Sequence, residues 1–102
     1  MKSLRIHEQA EADINHAFAY YWAEGGDALS QRFVNDYDEA ITHIVRQPGT
    51  GSPRHAHTVG IEGLRFWMLK HFPFSLFYIE RATHIDVLRL LHQSSDLPRH
   101  LP

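Results

Sequence analysis

LRFWMLKHFPFSLFYIERATHIDVLRLL, Leu64 to Leu91, holds three strand-like runs at 64–70, 74–80 and 84–91. Short connections at 71–73 and 81–83 join them, a spacing that describes an antiparallel meander. Pro73 has no N–H to give to a ladder and falls in the first connection. Alternation puts Arg65, Trp67 and Leu69 on one face of the first run and Phe66, Met68 and Lys70 on the other. In the last run, Ile85, Val87, Arg89 and Leu91 oppose His84, Asp86, Leu88 and Leu90. Both sheet faces are therefore largely apolar, and one layer of helices cannot cover them both. Either one face keeps apolar surface beside an arginine, as binding sites do, or the loop and tail cover it. In the second case Arg65 or Arg89 pairs with Glu62, Asp86 or Asp96.

Upstream, Ser3 to His7 alternates as a short strand. Ala10, Ile14, Ala17, Phe18, Tyr21 and Trp22 then recur at helical spacing, with Glu8 and Glu11 in the favoured first turn. Gly25-Gly26 ends this helix and Asp27 can cap the next. A second helix buries Leu29, Phe33, Tyr37, Ala40, Ile41, Ile44 and Val45, and stops at Gln47 before Pro48-Gly49. Residues 8–47 thus form a helical hairpin, and 48–63 form a loop rich in glycine and proline. The expected fold is one α+β domain over 1–102 in the order β-α-α-β-β-β, with the N-terminal helical hairpin packed on a mainly antiparallel sheet.

The chain has no cysteine, which removes disulfides and cysteine-ligated metals and fits a reducing cytoplasm. No apolar run approaches a membrane span. A soluble, cytoplasmic protein without a membrane partner is expected. The net charge of −2 is uneven: residues 1–45 carry three basic and eight acidic side chains, residues 46–102 seven and four. An acidic front and a basic back suggest two different surfaces.

Conventional catalytic motifs are absent: no phosphate loop, no nucleophile elbow, no zinc helix. The carboxylate pairs Glu11 with Asp13, and Asp36 with Asp38 or Glu39, read as solvated helix surface. His55 and His57 offer two metal nitrogens but no third ligand nearby in sequence, so no metal site and no cofactor are expected. Ser94 and Ser95 lie close to His92, yet nothing else marks a nucleophile with a positioned base.

Several pieces in order resemble the ParE branch of the RelE/ParE toxins of type II toxin–antitoxin modules. They are Ala10-Glu11-Ala12-Asp13-Ile14, Gly63-Leu64-Arg65, Phe72-Pro73-Phe74, Phe77-Tyr78, Val87-Leu88-Arg89, Leu91-His92 and Asp96. The resemblance spans nearly the whole chain. It implies a small bacterial toxin, neutralised by a cognate antitoxin in a hetero-oligomer. ParE-like relatives are associated with inhibition of DNA gyrase by binding, and RelE-like relatives with mRNA cleavage on the ribosome.

A metal-free RNase needs a base, an acid and cations on the phosphate. RelE-like toxins often carry a tyrosine near the C-terminus, whereas here Tyr78 is the last, and Ser94-Ser95 precede Asp96 where the family often shows arginine. Gyrase inhibition without catalysis is thus favoured over a ribosome-dependent endoribonuclease, whose catalytic set would be Arg65, Arg89 and His92. An inactive antitoxin-binding module is the third reading. The resemblance makes Arg65, Lys70, Tyr78, Arg89, His92 and Asp96 the expected target-binding residues. It makes the hairpin aromatics Phe18, Tyr21, Trp22, Phe33 and Tyr37 the expected antitoxin contacts.

Overall fold

The computed structural model describes residues 1–101. A single sheet runs in the order β1 (Ser3–Ile6), β4 (His84–His92), β3 (Phe74–Glu80), β2 (Leu64–Met68). The two hairpin connections make β2–β3–β4 antiparallel, while β1 reaches β4 only after the whole chain has passed and pairs with it in parallel. The sheet is therefore mixed, with the expected meander as its larger part.

The helical segment α1 (Glu8–Arg46) leaves helical geometry at Gly26, with φ 68° and ψ −156°. That backbone conformation is open to glycine at little cost and strained for other residues. Its effect is a reversal of direction. Tyr21 and Phe33 are twelve residues apart, a rise of ~18 Å in a straight helix, yet their rings stand 5.4 Å apart. The hairpin is thus formed, with two limbs. Asp27 does not act as a free cap, since its carboxylate receives the Trp22 indole N–H at 3.2 Å across the turn. Ser30 donates to the carbonyls of Gly26 and Asp27 instead. No helix among the described residues is long and apolar enough to cross a membrane.

Between β3 and β4 the register slips: Phe77 pairs with Arg89 and Tyr78 with Val87, so Leu88 has no partner. One extra residue reverses the in–out alternation beyond it. Ile85, Val87 and then Leu90 join Leu76, Tyr78 and Phe33 under the hairpin. Leu88 and Leu91 join Leu64, Phe77 and Ile79 on the opposite face. Strict alternation had Leu91 and Arg89 beside Val87, and the bulge corrects it.

The opposite face is the one that strict alternation left open, and it is covered in good part. The loop after α1 contains a 3-10 turn, Pro48–Thr50, and a short helix α2 (Ala56–Val59). The tail forms a second short helix, α3 (Leu97–His100). Ala56, Val59, Ile61, Leu97 and the buried Leu101 pack against this face.

Both carboxylate pairs read as solvated surface are corrected in one member each. Asp36 is buried, and its Oδ2 accepts the N–H groups of His71 and Phe72 at 2.8 and 3.0 Å. It ties α1 to the β2–β3 connection, whose amides have no ladder partner. Asp13 is half-buried and receives Arg89.

Candidate target- and partner-binding surfaces

Arg65 and Tyr78 are direct cross-strand neighbours and meet at one point, Gly51. Arg65 Nη1 donates to the Gly51 carbonyl at 2.7 Å. The Tyr78 hydroxyl donates to Pro48 O at 2.6 Å and accepts the Gly51 N–H at 3.1 Å. Burial pushes the Tyr78 hydroxyl above its usual pKa, opposed by the Gly51 amide and the Arg65 charge. A side chain at position 51 would place its Cβ 2.1 Å from the Tyr78 oxygen, so this contact requires glycine. Tyr78 is 0% exposed. It was expected at the target surface, but as the clasp that holds the loop on the sheet it has no surface to offer.

The remaining target candidates are scattered. Arg89 reaches over the sheet edge beyond β1 and engages Asp13, with Nη1 on the His100 carbonyl at 3.0 Å. Hydrogen bonding to Asp13 raises its pKa further, so the guanidinium is permanently charged and permanently occupied. Neither arginine pairs with Glu62, Asp86 or Asp96. Lys70 is exposed on the hairpin side of the sheet, and Asp96 is exposed at the start of α3. His92 ends β4 with Nδ1 accepting the Ser94 N–H at 3.1 Å and 2.7 Å from Ser94 Oγ. That is a local turn contact of Nδ1, on an exposed residue whose ring stands edge-on to Phe74.

His92 does have neighbours that the sequence reading missed. A groove on the sheet face away from the hairpin is lined by Arg54, His55, Phe66, Phe77, His92 and Ser95. His55 stacks on Phe66 with centroids 5.0 Å apart, and the Arg54 guanidinium lies 5.6 Å from the same ring. Burial, then the Arg54 charge, lower the His55 pKa and so disfavour its protonated form. The signal was present as Arg54-His55 in the loop and Phe66 and Phe77 in the strands. Only the path of the loop brings them together.

The hairpin aromatics divide by burial. Phe18 and Trp22 are 39% and 56% exposed, and Tyr20, not foreseen, is 58% exposed. Tyr21 and Tyr37 are half-buried against the core. The Tyr37 hydroxyl is pushed up to about 12 by burial, with Asp38 and Glu11 adding to it. Phe33, expected as an antitoxin contact, is fully buried because Tyr21, Phe72 and Phe74 close around it. This leaves Phe18 and Trp22 exposed one turn apart on one side of the helix, with Trp22 bonded to Asp27, and Tyr20 exposed on the other side beside Glu24.

Residues 4–97 match the family described as the ParE toxin of the type II toxin–antitoxin system parDE. The chain belongs to the ParE toxin family. The same architecture occurs in a chain from the chromosomal ParDE toxin–antitoxin system of P. aeruginosa. That chain is 26% identical over 90% of this chain and 96% of its own length, with a TM-score of 0.75. No curated protein matches the sequence. The ParE fold thus explains why residues so far apart in sequence carried the resemblance. Arg65 and Tyr78, from Gly63-Leu64-Arg65 and Phe77-Tyr78, make the Gly51 clasp, and Asp13 and Arg89 form the bridge between hairpin and sheet.

Proposed function

We propose that this ParE-family chain is a toxin that arrests bacterial growth by binding DNA gyrase, and that a cognate antitoxin neutralises it. The match of residues 4–97 to the parDE toxin family carries the reading. Inhibition by binding is favoured over nuclease chemistry because both arginines considered as phosphate clamps are engaged internally, Arg65 with Gly51 and Arg89 with Asp13. A cation must be free to meet the charge that develops on a phosphate. The antitoxin's natural seat is the exposed pair Phe18 and Trp22, one turn apart on one helix face, since exposed aromatics of this kind anchor interfaces.

One observation favours the second reading, a ribosome-dependent RNase. The groove of Arg54, His55, Phe66 and His92 combines stacking surface with groups able to move protons. Expression in bacterial cells separates the two. Gyrase inhibition predicts growth arrest with chromosome breakage and intact mRNA, relieved when the cognate antitoxin is co-expressed. Transcripts cut at defined codon positions without DNA damage count for the RNase.

A further inference from the structure

Asp36 is 2% exposed, and only one of its oxygens is satisfied. Oδ2 takes the amides of His71 and Phe72, while the equally enclosed Oδ1 has no hydrogen-bond partner. A buried carboxylate oxygen without a donor is costly, and nothing in the packing of α1 on the sheet explains it. Two further ligand-type groups stand beside it. Glu39 lies one turn along on the same helix face, and His71 belongs to the β2–β3 connection. An oxygen of Asp36, an oxygen of Glu39 and a ring nitrogen of His71 all lie within 4.8 Å of one another. Among the described residues no lysine or arginine pairs with Asp36 or Glu39, although Arg32 and Lys70 line the adjoining clefts.

We propose that Asp36, Glu39 and His71 bind a first-row divalent cation, with Zn2+ the best fit. Two carboxylates balance the charge of the ion, and an imidazole turns preference away from the all-oxygen coordination of Mg2+ and Ca2+. Oδ1 supplies the unclaimed lone pairs, and the two amides on Oδ2 hold the Asp36 carboxylate in place. Donors around tetrahedral zinc stand roughly 3.3–3.6 Å apart. Closing the set therefore asks only for rotation of Glu39 and His71, both exposed. Water completes the shell. Bound metal then fastens the second limb of α1 to the β2–β3 connection and stabilises the fold through linkage.

Titration calorimetry of the purified full chain with ZnCl2 tests the site. The expected result is one saturable Zn2+ per chain in the micromolar range, with a rise in melting temperature. Glu39→Gln and His71→Asn alter exposed side chains and each weaken binding at least tenfold. Because the chain holds nine histidines, His57→Asn serves as control and leaves binding unchanged. Co2+ loading adds visible absorption bands that disappear in His71→Asn. Lack of saturable binding, or affinity retained in both Glu39→Gln and His71→Asn, overturns the proposal.

Discussion

Asp13 receives both ends of the Arg89 fork, Nε at 2.7 Å and Nη2 at 2.9 Å. The same carboxylate accepts the Leu90 N–H at 3.0 Å, an edge amide of β4 beyond the reach of β1. Both side chains are only 16% exposed. Hydrogen bonds to charged groups of this kind contribute about 1.5–3 kcal/mol. Asp13→Ala therefore destabilises by about 2–3 kcal/mol and leaves Arg89 uncompensated, while the double variant with Arg89→Ala loses less than the sum. Urea unfolding of the three variants measures the coupling directly.

Gly51 and Tyr78 make a second, steric test. Gly51→Ala forces a methyl group into the Tyr78 oxygen and should unseat the loop, at a cost of about 2–4 kcal/mol. Tyr78→Phe leaves the Gly51 N–H and the Pro48 carbonyl without their partner, for about 1–3 kcal/mol. In the double variant the new Cβ still meets the ring carbons at 2.8 and 3.0 Å, so the clash is only eased and the loss is smaller than the sum of the two single losses. Thermal melts rank them.

Much of this fold was legible because its elements obey local rules. Three runs of period two with Pro73 between the first pair mark the meander, and Gly25-Gly26 marks the hairpin turn. What local patterns could not supply was long-range. The unpaired Leu88 reverses the alternation of β4, and no turn residue announces it. Asp36 and Asp13 look like ordinary polar-face carboxylates until the amides of His71, Phe72 and Leu90 arrive from the sheet. The same holds for Arg65 and Arg89. Their basic side chains within apolar strands suggested cations held toward a partner, but both reach backbone or carboxylate acceptors within the chain. That Arg54 and His55 join Phe66 and His92 was not legible, because a glycine- and proline-rich loop has no periodicity to show which face it covers.

The Asp86 carboxylate gives a pH signature. Burial on its own raises the pKa, but hydrogen bonds from Arg81 and His7, with the charges of His84 and His7, outweigh it and hold the group at about 2, below 3.8. A folded-state value below the unfolded one gives stability that is complete above the unfolded pKa and is lost as pH falls through the folded one. The gap in melting temperature between the natural chain and Asp86→Asn therefore shrinks below about pH 4 and closes toward pH 2. Melts in a pH series check it; a gap that widens with acid contradicts it.

Exposure separates interface from core among the hairpin aromatics. Trp22→Ala and Phe18→Ala weaken antitoxin binding tenfold or more and change stability by less than about 1 kcal/mol. Phe33→Ala removes a fully buried ring from the aromatic cluster and costs about 3–5 kcal/mol. Surface plasmon resonance with the cognate antitoxin, beside melts of each variant, distinguishes the two effects.

The most direct test of the toxin account uses purified DNA gyrase, relaxed plasmid and the purified chain. Supercoiling should fail at micromolar toxin, with cleaved plasmid accumulating, and should recover when the antitoxin is added. Gyrase that supercoils at full rate under those conditions contradicts the account.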